Sequence, residues 1–182
     1  MLDKSLPYIE FIMKRSKNSV TIPQKTLVKS YKLVYYQAGD ENAWCEIETS
    51  VGEFDNVADA QAYFQKTFAP YPEELAHRMA FIEDDNGQKV ATCTAWWGKT
   101  NEPLLHWLAV KPEAQQKGLA RFLVATITQL LTDLNPEKAI FLHTQTWSYP
   151  AIFLYEKLGY EILPGTKDFK KGLALLATLR KR

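Results

Sequence analysis

Apolar positions repeat along this chain at two spacings, every second residue or every third and fourth, and the switches between them mark the elements. Residues 31–36 are dense in β-branched and aromatic side chains and predict a strand that ends at Gly39-Asp40. Asp40 is placed to cap a helix over 41–50 that carries Trp44 and Ile47 on one face. A second helix is predicted over 56–68, where Val57, Ala60, Phe64 and Phe68 recur near helical spacing and Pro70 and Pro72 act as the stop. Residues 79–83 and 89–97 flank Asp85-Asn86-Gly87, which predicts a hairpin, because an Asn-Gly pair suits a type I′ turn and its positive φ. The run 104–110 is nearly all apolar and predicts a strand covered on both faces. A loop over 113–118 then leads into the clearest helix, whose stripe of Leu119, Phe122, Leu123, Ile127, Leu130, Leu131 and Leu134 ends near Asn135-Pro136. Residues 139–143 predict a strand. Ser148 reads as the cap of a helix over 151–158, with Pro150 in its first turn and Gly159 as its stop. Two further strands, 160–163 and 173–179, joined by a Pro164-Gly165 loop, close the chain. Ahead of all this, the apolar run 8–13 predicts an extra strand followed by a polar linker with Pro23, and no chemistry is visible there.

This order predicts a mixed α/β fold. The step from 104–110 through the long helix to 139–143 is a parallel connection, which needs a right-handed crossover and places a ligand crevice at the carboxyl ends of those two strands. A chain of 182 residues fits one domain, 1–182, with residues 1–29 as an N-terminal extension strand and linker. Only Cys45 and Cys93 are present, without metal-ligand or redox-pair spacing, so neither a metal nor a disulfide framework is expected, and a reducing cytoplasm is the expected compartment. Lys plus Arg exceeds Asp plus Glu by one, too little for a general nucleic-acid binder. The start lacks the apolar core of a secretory signal, and no run of about 20 apolar residues offers a membrane span. The aromatic share of 13%, with five Trp, exceeds what packing alone calls for. Trp44, Trp96, Trp97, Trp107 and Trp147 are therefore read mostly as core, with one or two lining a pocket. The basic end, 180–182, reads as a solvated tail.

The sharpest local signal is Val110-Lys-Pro-Glu-Ala-Gln115-Gln-Lys-Gly118-Leu-Ala120, between a buried strand and a long helix. Such a loop aims unpaired backbone N–H groups and the positive end of a helix dipole at one spot, which suits a phosphate or pyrophosphate. Gly118 permits close approach and Ala120 does not obstruct it. A glycine and an alanine at a helix start are also common as structure alone, and neither GxGxxG nor GxxxxGK[ST] is present.

Gln115-x-x-Gly118-x-Ala120 resembles the [Gln/Arg]-x-x-Gly-x-[Gly/Ala] loop of the GNAT superfamily of N-acetyltransferases, and Ala151-x-x-x-Tyr155-Glu-Lys-Leu-Gly159-Tyr160 resembles that family's second signature. The likeness covers the predicted elements from 31 to 179. It implies a three-layer fold: a central, mostly antiparallel sheet with a splayed parallel pair and helices on both faces. It implies acetyl-CoA as cosubstrate, with the pantetheine arm along Leu108, Ala109 and Val110 and the pyrophosphate on Gln115, Gln116, Lys117, Gly118, Leu119 and Ala120. A free N–H of Leu108 or Ala109 is then expected to polarise the thioester carbonyl, and Tyr155 to act as general acid near the sulfur. Against this stands Tyr155 as a core aromatic, on one stripe with Ala151 and Leu158. Ser148 replaces the family's common asparagine, so a coenzyme contact and a helix cap are equal readings there. Gln116 stands where many members carry a second glycine.

An attacking amine must lose a proton. His106 is expected as the base, since strand alternation puts it on the face of Leu108 and Val110 and its ordinary pKa suits proton uptake near neutrality. The alternative is a strand histidine satisfied by a neighbour. Glu46, Glu48, Glu83 and Asp84 are rivals, and His143 reads as structural. The expectation is therefore an N-acetyltransferase in which a primary amine attacks the thioester directly, with neither cysteine taking part. A non-catalytic CoA-binding module and a transferase for longer acyl groups are the alternatives. Acetyl-CoA and an amine acceptor are the expected partners, without nucleic acid or membrane, and small proteins of this type often pair as homodimers.

Overall fold

The structure, a computed structural model, describes residues 2–23 and 26–181, so Arg182 of the basic end lies outside the described residues. In chain order the elements are β1 (Glu10–Arg15), β2 (Tyr31–Tyr35), α1 (Glu41–Val51), α2 (Val57–Thr67), α3 (Pro72–Arg78), β3 (Met79–Asp84), β4 (Lys89–Trp97), β5 (Pro103–Val110), α4 (Leu119–Leu134), β6 (Ile140–Gln145), α5 (Tyr149–Lys157), β7 (Glu161–Leu163) and α6 (Phe169–Leu179). The strands form one sheet in the order β2-β3-β4-β5-β6-β1-β7. Every pair is antiparallel except β5–β6, which run parallel and meet at a single paired position, Leu104 with Phe141. Beyond it the two strands splay toward their carboxyl ends.

Alternation along the strands feeds two cores. On β3, Ala80 and Ile82 join one cluster with Leu123, Ile127 and Leu131 of α4, while Met79 and Phe81 join the other with Trp44 of α1 and Phe64 of α2. The first cluster also takes Ile152 and Tyr155 from α5 and Leu176 from α6. Helices therefore cover both faces, as expected. Among the described residues, no helix is long and apolar enough to cross a membrane.

The N-terminal strand is not peripheral. β1 sits between β6 and β7, pairing with both, and Phe11 and Met13 are fully buried. Its approach is tied down by Leu2 N–H to Val51 O (3.1 Å), Asp3 N–H to Trp147 O (3.0 Å) and Trp147 Nε1–H to Leu6 O (2.7 Å).

Several local expectations are corrected. Residues 173–179 belong to a helix, not a strand: Gly172, Leu176 and Leu179 are the buried positions, at helical spacing, and Gly172 lies so close to Phe11 that a side chain there would collide with the ring. Pro72 does not only stop a helix but opens α3, since a missing N–H costs nothing in a first turn. Asp40 stands at the start of α1, yet its carboxylate accepts from Gln37 N–H at 2.9 Å and pairs with Lys89 at 2.9 Å. The β3–β4 hairpin has positive φ at Gly87 and not at Asn86, and Gly87 N–H closes the turn on Asp84 O at 3.0 Å, so the turn is not type I′.

Candidate active site

Two cavities open where β5 and β6 part. The helix-end cavity, about 550 Å³, lies between the end of β5, the start of α4 and the start of α5. Leu108, Ala109, Val110, Gln115, Gln116, Gly118, Leu119, Ala120 and Ser148 all line it. Lys117 turns away, its Nζ donating to Tyr31 Oη at 2.9 Å and to Glu113 O at 3.0 Å.

Backbone geometry shapes this cavity. Gln116 and Gly118 both adopt left-handed conformations, with φ of 61° and 82°, and Gln115 Nε2 ties the loop to Val110 O at 2.9 Å. The first bond of α4 runs from Phe122 N–H to Gly118 O. The N–H groups of Leu119, Ala120 and Arg121 therefore precede the helix ladder, and among the described residues no side chain caps them. Arg121, which sequence reasoning passed over, also lines this cavity, and its buried Nε has no partner among the described residues.

The end of β5 adds further donors. Lys111 N–H donates to Val90 O at 2.8 Å, so antiparallel alternation turns Ala109 N–H toward β4 and those of Leu108 and Val110 toward the splayed side.

The carboxylate cavity, about 400 Å³, lies deeper in the cleft, and Glu53, Leu108, Ser148 and Ala151 line both. A bulge shapes it. Trp107 has φ of 50°, a strained conformation for a bulky residue that costs roughly 1–3 kcal/mol, and the β4–β5 register shifts between Thr92 and Thr94. The bulge resets the alternation, which corrects the expectation for His106: Leu108 and Val110 pack with the α4 core, while His106 packs against Phe68 and Trp107 of the other. The His106 ring still lines the cavity. Trp107 Nε1–H donates to Tyr63 Oη at 3.1 Å, and that hydroxyl also lies 3.4 Å from His106 Nε2. Burial lowers the pKa of His106 to about 4, so the ring is neutral at pH 7.

Glu48 is the unusual group. It shares the buried stripe of α1 with Trp44 and Val51, is 0% exposed, lines the cavity, and has no partner for either carboxylate oxygen among the described residues. Desolvation, then the charge of Glu53, raises its pKa well above the ordinary range. A glutamate among apolar i, i+4 and i+7 positions was a readable signal. Glu53, unnamed in the sequence reading, presents surface at the mouth, yet enough protein surrounds its carboxyl to raise its pKa against the pull of Lys4. The other rivals lie elsewhere. Glu46 pairs with Lys111 at 3.6 Å, Glu83 pairs with Lys32 at 2.7 Å, and Asp84 accepts the turn amides of Asn86 and Gln88 at 2.9 Å.

Tyr155 is buried on α5 and lines the carboxylate cavity. Desolvation first, then nearby Cys93, Tyr160, Glu53 and Glu48, holds its pKa far above that of a free phenol, so it keeps its proton. Ser148 precedes α5, but the turn there is capped by Gln145, whose Oε1 accepts Ser148 N–H at 2.8 Å. The N-terminal segment adds Tyr8, just ahead of β1, and Glu10 and Ile12 of that strand, and His143 of β6 joins them. Of the five tryptophans, Trp107 lines this cavity and Trp44 is core. Cys45 and Cys93 are buried thiols whose pKa values are raised by desolvation, an environment that suppresses the nucleophilic thiolate.

Comparison with known proteins supports the fold. Residues 42–160 match the acetyltransferase (GNAT) family. Among solved structures, a GCN5-related N-acetyltransferase from Sphaerobacter thermophilus superposes with a TM-score of 0.68 at 16% identity, over 86% of this chain and 49% of that one. A GNAT-family acetyltransferase from Colwellia psychrerythraea gives 0.64 at 8% identity, over 86% and 54%. The ribosomal-protein-S18-alanine N-acetyltransferase from Escherichia coli gives 0.53 at 24% identity, over 71% and 76%. The chain spans about half the length of the first two, and at these identities the likeness is one of fold. A search of curated proteins returns no match.

Proposed function

The chain belongs to the GNAT family of acetyltransferases, and from that premise we propose that it moves an acetyl group from acetyl-CoA to a primary amine by direct attack on the thioester. The observation that carries this reading is the meeting of the two cavities at Leu108. One is walled by unclaimed backbone donors and the other by a proton-holding tyrosine and a buried carboxylate. Acetyl-CoA supplies the activated acyl group. The N–H groups of Leu119, Ala120 and Arg121, together with the free Arg121 Nε, hold its pyrophosphate, as donors at a helix N-terminus suit a diphosphate. Leu108 N–H, facing the splay, receives the thioester oxygen as it gains charge, a donor typically worth about 3–4 kcal/mol.

Glu48 is the base in this reading. An alkyl ammonium has a pKa of about 10, so passing its proton to His106 at about 4 is uphill by roughly six units, or about 8 kcal/mol. Glu48, whose pKa burial raises, lies nearer to the amine in proton affinity, and the arriving ammonium favours its ionised form. Glu48 releases its resting proton to water as the ammonium binds, and the carboxylate then takes one proton from the ammonium. The N–C bond then forms as the C–S bond breaks, Tyr155 gives its proton to the leaving sulfur and regains one from the amide nitrogen, and Glu48 is left protonated as at rest. A phenol of raised pKa can protonate that sulfur because the thiolate is desolvated in the same place, which raises its basicity too. His106, neutral and tied to Tyr63, orients the acceptor.

Thiol release from acetyl-CoA across a panel of amines tests the proposal. Tyr155→Phe should lower turnover about 100-fold with nearly unchanged acetyl-CoA affinity. Coenzyme binding without thiol release on any amine would favour a non-catalytic module instead, and unaltered turnover in the variant would remove Tyr155 from the mechanism.

A further inference from the structure

The carboxylate cavity gathers acidic groups that, among the described residues, no basic chain of its lining matches. Glu10, Glu48 and Glu53 line it, and among the described residues no lysine or arginine does, in a chain whose net charge is +1. The three acids come from different places: Glu48 at the closed end on α1, Glu53 one residue past the Gly52 that ends that helix, and Glu10 at the rim on β1. Tyr8 Oη donates to Glu10 at 3.3 Å and so fixes the rim carboxylate. Lys4, the side chain whose field reaches Glu53, lies outside the lining, 3.8 Å from Asp55 and over the Trp147 ring at 5.7 Å.

Glu48 shows what is missing. A fully buried carboxyl group with both oxygens unpartnered is costly to keep, and the group that best satisfies its ionised form is an ammonium, which brings three donors, no acceptor and the opposite charge. A single ammonium answers Glu48 alone and leaves Glu53 and Glu10 without a cation in the lining. An amine that also carries a carboxylate would bring a negative group among three acids with no cation to receive it.

Building on the transferase reading above, we propose that the acceptor is a small diamine or polyamine, its reacting amino group at Glu48 and its second ammonium between Glu53 and Glu10. A cleft of about 400 Å³ holds a flexible aliphatic chain of this kind. The N-terminal segment thereby becomes part of acceptor selection, because Tyr8, Glu10 and Ile12 form the outer wall.

The test uses the full chain and four acceptors: 1,4-diaminobutane, spermidine, n-butylamine and lysine. The diamine should exceed n-butylamine in kcat/KM by at least about ten-fold, as one extra ion pair of about 1.4 kcal/mol gives, and lysine should do no better than n-butylamine. Glu53→Gln should shrink the diamine-over-monoamine ratio at least about five-fold. Equal rates for diamine and monoamine, or a preference for lysine, would overturn the proposal while leaving the transferase reading intact. Calorimetric titration of spermidine in the presence of CoA separates the converse case. Spermidine binding that weakens in Glu53→Gln, with no thiol release from acetyl-CoA on any amine, would sink the transferase reading, and the acceptor role with it, while supporting the diamine site at Glu48, Glu53 and Glu10. Absence of both binding and turnover for spermidine would sink that site.

Discussion

The helix-end cavity is built of backbone, and the carboxylate cavity of side chains. In the first, donors belong to consecutive residues of one loop and one helix start, held by two left-handed residues and a single glutamine latch. In the second, the groups arrive from β1, α1, β5, β6 and α5, far apart in the chain. In the proposed reading the first holds a diphosphate, and the second carries the groups that choose an acceptor. On that proposal, recognition of a common cosubstrate and choice of a particular acceptor rest on different kinds of structure, joined at Leu108.

The largest effect that separates the two belongs to Glu48→Gln. Turnover should fall at least about 100-fold while acetyl-CoA affinity stays near that of the parent. Stability should move the other way. The folded protein holds the Glu48 proton above the ordinary carboxylate range, whereas the unfolded chain releases it near pH 4.5. The stability this group contributes is therefore full below that pH and is lost as pH rises toward the raised folded value. The variant should melt progressively higher than the parent as pH is raised from 4.5 to 8, and a melting difference that ignores pH would mean that Glu48 is not a desolvated acid.

Gly118→Ala acts on the other cavity and more mildly. Nothing lies within 4 Å of the added methyl group, so the effect comes from φ alone. Holding alanine in the left-handed region costs about 1–2 kcal/mol, which should weaken acetyl-CoA binding about ten-fold and leave the preference among amines unchanged. A changed amine preference would show that the two cavities are not separable. The smallest effect is expected for Gln116→Gly, where relief of the left-handed glutamine is offset by glycine's larger entropy loss, a net gain of at most about 1 kcal/mol by thermal melting. A loss of more than that would assign the Gln116 side chain a contact.

That difference in construction explains what could be read in the sequence. The loop from Pro112 to Ala120 was legible because its chemistry is local: an apolar strand, a glycine and a strong helical stripe lie side by side. The long helix and the strand after it were legible for the same reason. The face of His106 was not, because it depends on a bulge at Trp107 that no glycine or proline announces. Nor was the insertion of β1 between β6 and β7, a pairing across more than 120 residues that brings Tyr8 and Glu10 to the cleft. The misreading of 173–179 had a different cause: a run of leucine and alanine suits either element, and the deciding contact, Gly172 on Phe11, is tertiary. Glu48 stood in plain view on an apolar stripe, but its burial is fixed by the strands beneath it.

A crystal structure with CoA bound is the most direct measurement. The diphosphate should lie on the N–H groups of Leu119, Ala120 and Arg121, and the sulfur should come within hydrogen-bond reach of Tyr155 Oη, about 3–3.5 Å, at the junction by Leu108. A coenzyme seated away from the start of α4, or a sulfur pointing out of the cleft, would contradict the account.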